Sequence, residues 1–189
     1  MNDHKTLIDG VAQARAQGHD LHLVMIGEGL ETPPPELARL LQIYLPADRV
    51  TTSGCRFDLP ALLPGFDVLA VSSAWGEGFS NVIGEALASG VPVVATDVGD
   101  SGTIVGRCGA VVPPRRPEDF GAALAGLAAM PAAERAELGS MGRERVMELY
   151  PLDQIARRYN ELHRALVEDS RYLGTPVLKA DAAPGGLPS

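Results

Sequence analysis

Cysteine is scarce in this 189-residue chain, with only Cys55 and Cys108 present. Two thiols so far apart build neither a metal cluster nor a secreted disulfide scaffold, which points to a reducing compartment. An excess of basic residues is missing too: 16 Lys and Arg face 24 Asp and Glu, a net charge of −8. Without a positive footprint, neither nucleic acid nor direct docking on an anionic membrane is expected, and membrane contact would have to come through another domain. No run of about 18 apolar residues occurs, and the opening MNDHKTLIDG lacks the basic-then-apolar order of an export signal. The expected location is therefore the cytoplasm, at most peripheral to a membrane. His4, His19, His22 and His163 do not cluster at metal or triad spacings, so no metal and no cofactor are expected at these residues.

What is present is a globular composition, 46% hydrophobic, with a length suited to one domain that buries roughly 70% of its unfolded surface. Apolar residues Leu7, Ile8, Val11 and Ala12 recur at helical spacing over 4–17, and LHLVMI at 21–26 forms a short apolar run closed by Gly27-Glu28-Gly29. Thr32 with Pro33 to Pro35 predicts a cap and start for a helix to Tyr44, with a strand near 49–52. Asp58 is the expected cap of a short helix over 59–64, followed by a strand VLAVSS at 68–73. Ser80 or Asn81 caps a helix through Ser89, Gly90 ends it, and VPVVATD begins another strand. A short strand at Val111 and Val112 and helices over 117–129, 132–149 and 152–168 complete the pattern. Alternating strands and helices imply a parallel sheet covered on both faces, whose ligands bind beyond the carboxyl ends of the strands. Residues 1–169 are expected to form this domain, and 170–189, rich in Pro, Gly and Ala, a flexible tail.

The stretch with chemical content is SSAWGEGFSNVIGEALASGVPVVATDVG, Ser72 to Gly99. It places Glu77 between two glycines ahead of a helix start, where unpaired backbone amides favour an anion. Glu85 follows eight residues on, two turns into the helix. Carboxylates accept hydrogen bonds from hydroxyls but do not hold phosphate, so the natural ligand of this pair is a sugar at either end of an anionic group.

The order EGFSNVIGE followed by ALASGVPVVATDVG resembles the Glu-x7-Glu motif of the large group 1 (family 4) retaining glycosyltransferases. HKTLIDGVAQA, LHLVMIGEG, RVTTSGCRFDLPALLPGFDVLAVSS, GAVVPPRRPEDFGAAL and YPLDQIARRYNELH fit the same family, over about residues 4–168. The resemblance implies the donor-binding, Rossmann-like half of the two-domain GT-B fold. It implies that Glu77 is the catalytic-site acid contacting the donor sugar and that Glu85 accepts from the ribose hydroxyls. The amides of Gly78, Phe79, Ser80 and Asn81 would hold diphosphate or sugar oxygens, and the loop Cys55, Arg56, Phe57 would border the base. The donor would be a UDP- or GDP-sugar, used without metal and with retention of configuration. The SSAWGEGFSN variant is similar to transferases of bacterial cell-surface polysaccharide synthesis.

In that family a central strand bearing Gly-Arg, and then a Lys, lies just ahead of the segment resembling HKTLIDG. The resemblance therefore implies a sheet lacking its first central strand, a missing N-terminal acceptor-binding domain, an isolated chain inactive by itself, and self-association through unpaired strand edges. The alternative expectation is a noncatalytic nucleotide-sugar-binding module that completes another chain.

Overall fold

In the computed structural model, residues 3–168 are described, and the chain divides into two units, Met1–Leu149 and Tyr150–Ser189. The first unit begins with α1 (His4–Ala16), started by Asp3, whose carboxylate accepts the Thr6 amide at 3.0 Å and the Thr6 hydroxyl at 2.7 Å. Then follow β1 (Leu23–Ile26), α2 (Pro35–Tyr44), β2 (Val50–Ser53), α3 (Leu59–Leu62) with a 3-10 turn behind it, and β3 (Leu69–Val71). After these come α4 (Asn81–Ala88), β4 (Val93–Thr96), α5 (Ser101–Val105), β5 (Gly109–Val112), α6 (Pro117–Ala129) and α7 (Ala132–Leu149).

Several local expectations need correction. Pro34, not Thr32, stands at the cap of α2; proline, unable to donate to a helical ladder, is tolerated at this edge. Asp58 does precede α3, but its side chain binds Arg56 instead of the helix amides. β3 is three residues long, not six: beyond it Ser72 exchanges hydrogen bonds with Asp3 ahead of α1, while Ser73 gives its hydroxyl to Glu77 and its carbonyl to the Thr96 hydroxyl of β4. The five-residue α5 was not anticipated.

Two apolar layers cover the strands. On one face Leu7, Ile8, Val11 and Ala14 of α1 pack with Phe120, Leu124 and Ala125 of α6, and this cluster takes in Leu23 and Met25 of β1 and Val94 of β4. The helices approach closely because a Cβ on Gly121 would lie 2.9 Å from the Gly10 carbonyl oxygen. Ile83, Ala86 and Leu87 of α4, with Ile104 and Val105 of α5, form a second buried group. Each Val, Leu, Ile, Met or Phe among them contributes roughly 1.5–3 kcal/mol on burial, the alanines less.

The strands are all parallel, in two separate ladders: β1 with β2, and β3-β4-β5 with β4 in the middle. β4, at VVAT, is fully buried, as its unbroken apolar run requires. No ladder joins β1 to β3. Between them lies a groove of about 760 Å³ lined by Leu23 to Ile26 on one side, Leu69 to Val71 on the other, and Leu7 and Val11 of α1. The expected parallel α/β architecture is thus present with its sheet open at the position assigned to the central strand. α1 sets out from the carboxyl end of β3, where the Asp3 amide donates to the Ser72 carbonyl and the Ser72 hydroxyl donates to the Asp3 carbonyl, each at 2.9 Å.

In the second unit, α8 (Leu152–Glu168) carries an apolar stripe, with Leu152, Tyr159, Leu162 and Leu166 exposed and an edge-on contact between the Tyr159 and His163 rings. Residues 170–189, for which a flexible tail was expected, lie outside the described residues.

Candidate functional site

Where β3 ends, the chain makes the loop Ser72 to Ser80 and enters α4. Gly76 takes φ +81°, a conformation that side chains resist, and so turns the loop sharply before Glu77. Across from it runs the turn after β4. Gly99 there has φ +60°, and a Cβ on it would fall 2.4 Å from the Glu77 carbonyl oxygen and 2.7 Å from that of Gly78. The Asp100 amide donates to the Gly78 carbonyl at 3.2 Å. Only glycine allows this approach, so the backbone at Glu77 and Gly78 rests on the β4 turn.

The Glu77 side chain is half-buried, and its Oε1 accepts the Ser73 hydroxyl at 2.7 Å. The α4 start behaves as an amide donor. Ser80 is buried at the cap position, its side chain caps none of the helix amides, and its carbonyl accepts from Ile83 and Gly84. No acidic residue stands in the first turn of α4, so the positive end of the helix dipole has no carboxylate of its own there. Gly78, Phe79 and Asn81 are exposed around that start. Glu85 stands exposed on the second turn of α4 with no side-chain bond or ion pair to any described residue; its backbone carbonyl accepts the Ser89 hydroxyl at 2.8 Å and the Ser89 amide at 3.0 Å.

Glu77, Gly78, Phe79, Ser80, Asn81 and Glu85 are therefore brought together as one loop-helix unit. Neither acid lines the groove between β1 and β3, which reaches this unit only at Ser72 and Val82; Glu77 is half-buried and Glu85 exposed outside it.

Cys55, Arg56 and Phe57 sit apart from that unit in sequence, on the exposed loop after β2. Arg56 is engaged locally: its Nε and Nη2 donate to the two Asp58 oxygens at 2.7 and 2.6 Å, which raises the guanidinium pKa and lowers that of the carboxyl. The loop is held against the one after β1, where the Gly27 amide donates to the Ser53 carbonyl at 3.0 Å and a Cβ on Gly54 would come within 2.8 Å of Glu31 Oε2. Phe57 is wholly exposed. Of the cysteines, Cys55 is exposed and Cys108 buried, its thiol pushed up by burial away from the reactive thiolate. Among the described residues no three His, Cys, Asp or Glu side chains converge on a common point, and no helix is long and apolar enough to cross a membrane.

Two residues of the site went unnoticed in the sequence: Ser73, which bonds Glu77, and Thr96, whose hydroxyl donates to the Ser73 carbonyl at 2.6 Å. A serine four residues before an acid, at the end of an apolar run, was the available signal.

Comparison with known proteins bears on this arrangement. The family described as "Glycosyl transferases group 1" matches residues 1–130. The MMP α-(1→4)-mannosyltransferase of Mycolicibacterium hassiacum is 32% identical over 155 residues, covering 79% of this chain and 36% of that protein. Among solved structures, Anabaena HepE in complex with UDP and glucose superposes with a TM-score of 0.74 at 24% identity, over 85% of this chain and 44% of that one. Sucrose-phosphate synthase from Thermosynechococcus elongatus gives 0.72 at 31% identity, over 87% and 43%. A glycosyltransferase from Rickettsia africae gives 0.78 at 19% identity, over 89% and 46%. The chain spans less than half the length of each of these relatives.

Proposed function

Starting from a chain that belongs to the group 1 glycosyltransferases, we propose that it is the donor half of a retaining enzyme that moves a sugar from a UDP- or GDP-sugar to a glycan or lipid-linked acceptor. The observation that carries this reading is the loop-helix unit itself: one acid seated before a helix whose cap side chain binds none of its amides, a second on the second turn of that helix with its carboxylate unengaged. Glu77 contacts hydroxyls of the sugar, Glu85 those of the ribose, and the amides of Gly78, Phe79, Ser80 and Asn81 face the oxygens between. Cys55, Arg56 and Phe57 border the base. Complexes with UDP and glucose among the structural relatives support a nucleotide sugar as ligand. No metal takes part, and the setting is bacterial cell-surface polysaccharide synthesis in the cytoplasm.

The charge of a departing nucleoside diphosphate must be offset by cations in the absence of metal, and that is a main source of rate. The α4 start supplies only amide dipoles. The rest of the transferase provides those cations, the acceptor site, and a strand that enters the groove between β1 and β3 and closes the sheet. The isolated chain is inactive, and with the groove empty its open edges favour self-association.

Titration calorimetry with UDP, GDP and their glucose and mannose conjugates tests the assignment. Hydrogen bonds to a charged group contribute about 1.5–3 kcal/mol, so Glu85→Ala should weaken bare nucleotide and nucleotide sugar alike by about 10- to 100-fold. Glu77→Gln should reduce only the increment due to the sugar. Unchanged affinity in Glu85→Ala defeats the ribose contact.

The open groove and the short span relative to homologues favour one alternative, a noncatalytic nucleotide-sugar-binding module that completes another subunit. Addition of an N-terminal transferase half in trans separates the two: transfer appears only if this chain is the donor domain of an enzyme.

A further inference from the structure

Glu77 lies between two glycines, and such a position leaves the direction of its carboxylate undetermined by the local chain. The β4 turn supports the backbone of the loop, at Gly99 and Asp100, but does not direct the side chain. That direction comes from the opposite side. Ser73, 1% exposed, donates its hydroxyl to Glu77 Oε1 at 2.7 Å. Ser73 is itself fixed through its carbonyl, which accepts the hydroxyl of Thr96, also 1% exposed, at 2.6 Å. A chain of two hydroxyls thus runs from the end of the fully buried strand β4, through the end of β3, to one oxygen of the acid.

This arrangement divides the carboxylate. Oε1 is occupied by a neutral hydroxyl donor, which restricts the rotation of the group without bringing a positive charge to it. Oε2 remains for a ligand. A buried serine could have satisfied itself on a backbone carbonyl, as Ser72 does on that of Asp3 and Ser101 on that of Val98. Ser73 instead spends its proton on the one acid of the loop.

We propose that Ser73, held by Thr96, is a positioning residue that aims Glu77 at the hydroxyls of the donor sugar and so sets the preference for nucleotide sugar over bare nucleotide. The inference rests on the reading of Glu77 as the sugar-contacting acid. Its physical basis is preorganisation: immobilising a rotamer-rich side chain on binding costs affinity, and a side chain immobilised beforehand does not incur that cost again.

Two measurements on the chain decide it. The first needs no ligand: carboxyl carbon shifts and side-chain couplings of Glu77 by NMR in wild type, Ser73→Ala and Thr96→Val. Expected are a single rotamer in wild type, averaging among rotamers in Ser73→Ala, and an intermediate state in Thr96→Val, with the amide signals of 98–100 unmoved. An unaltered Glu77 signal in Ser73→Ala overturns the proposal. The second compares affinity for UDP-glucose and UDP, or the GDP pair. Ser73→Ala should lose about two- to tenfold on the nucleotide sugar and nothing on the bare nucleotide, and adding it to Glu77→Gln should cause no further loss. Equal weakening of both ligands means a purely structural serine and refutes the positioning role. If Glu77→Gln leaves the sugar increment intact, the reading of Glu77 fails, while the NMR result still shows whether Ser73 orders it.

Discussion

Filling the groove between β1 and β3 is the most direct perturbation of the fold. β1 has four residues, and a strand of that length spans about 13 Å. In a parallel ladder about half the backbone groups of each edge strand point to a given side, so alternate residues of Leu23 to Ile26 and Leu69 to Val71 present unpaired amides and carbonyls to the groove. The Asp3 amide on the Ser72 carbonyl places the entrance of α1 at the carboxyl end of β3. A strand joined ahead of α1 therefore enters parallel to β3 and is followed by a crossover through α1 to β1, as parallel neighbours require. Four β-branched residues fused ahead of Met1 would each gain about 1.5–3 kcal/mol from burial, plus about 0.5–1.5 kcal/mol per hydrogen bond, against about 1–2 kcal/mol of backbone entropy per residue. With one hydrogen bond per residue the midpoints of these ranges leave roughly 7 kcal/mol in favour of the filled groove, an upper bound because the unfolded chain already buries part of its apolar surface, so amide exchange at the two edges should slow by orders of magnitude. Hydrogen exchange read by mass spectrometry over 23–26 and 69–71 measures this directly, with a fusion carrying proline and lysine as control. Slow exchange of these edges in the chain by itself, or equal protection by apolar and Pro/Lys fusions, would refute the account of the groove as a strand slot.

Glycine exchanges probe the packing independently. A Cβ on Gly139 would lie 1.9 Å from the Gly90 carbonyl oxygen, so Gly139→Ala must push α7 off α4 and should cost about 1–3 kcal/mol, seen as a Tm lowered by about 4–10 °C. Gly126, exposed in α6 with nothing within 4 Å of its would-be Cβ, should behave oppositely: Gly126→Ala stabilises by about 0.5–1 kcal/mol, and a lower Tm would contradict it. Burial lowers the pKa of His4 below its ordinary 6.5, only partly opposed by Asp3. The unfolded chain then binds a proton more readily than the folded one, so stability should fall as pH drops through about 6.5, and urea midpoints of His4→Gln should depend less on pH between 7 and 5 than those of wild type. Gly99→Ala combines an unfavourable φ with a clash at the Glu77 carbonyl, so it should displace the loop and abolish the preference for nucleotide sugar measured by calorimetry; a retained preference would show that the β4 turn does not seat Glu77.

Periodicity and punctuation, read along the chain, were enough to place α6, α7 and α8 at their observed bounds, to mark the strand β4, and to identify the loop-helix unit from Glu77 to Glu85, because helix spacing, caps and glycine turns act over a few residues. α5 escaped because five residues hold barely more than one turn, too few for a period to show. Thr32 and Asp58 looked like caps because the local rule names the residue type, whereas the folded chain used Pro34 for one helix start and paired the other side chain with Arg56. Only the tertiary structure decided that β3 stops at Val71, that Gly99 supports the backbone at Glu77, and that Ser73 and Thr96 orient its carboxylate. Those outcomes depend on which segments meet across long stretches of chain, and no pattern confined to one segment encodes its partner.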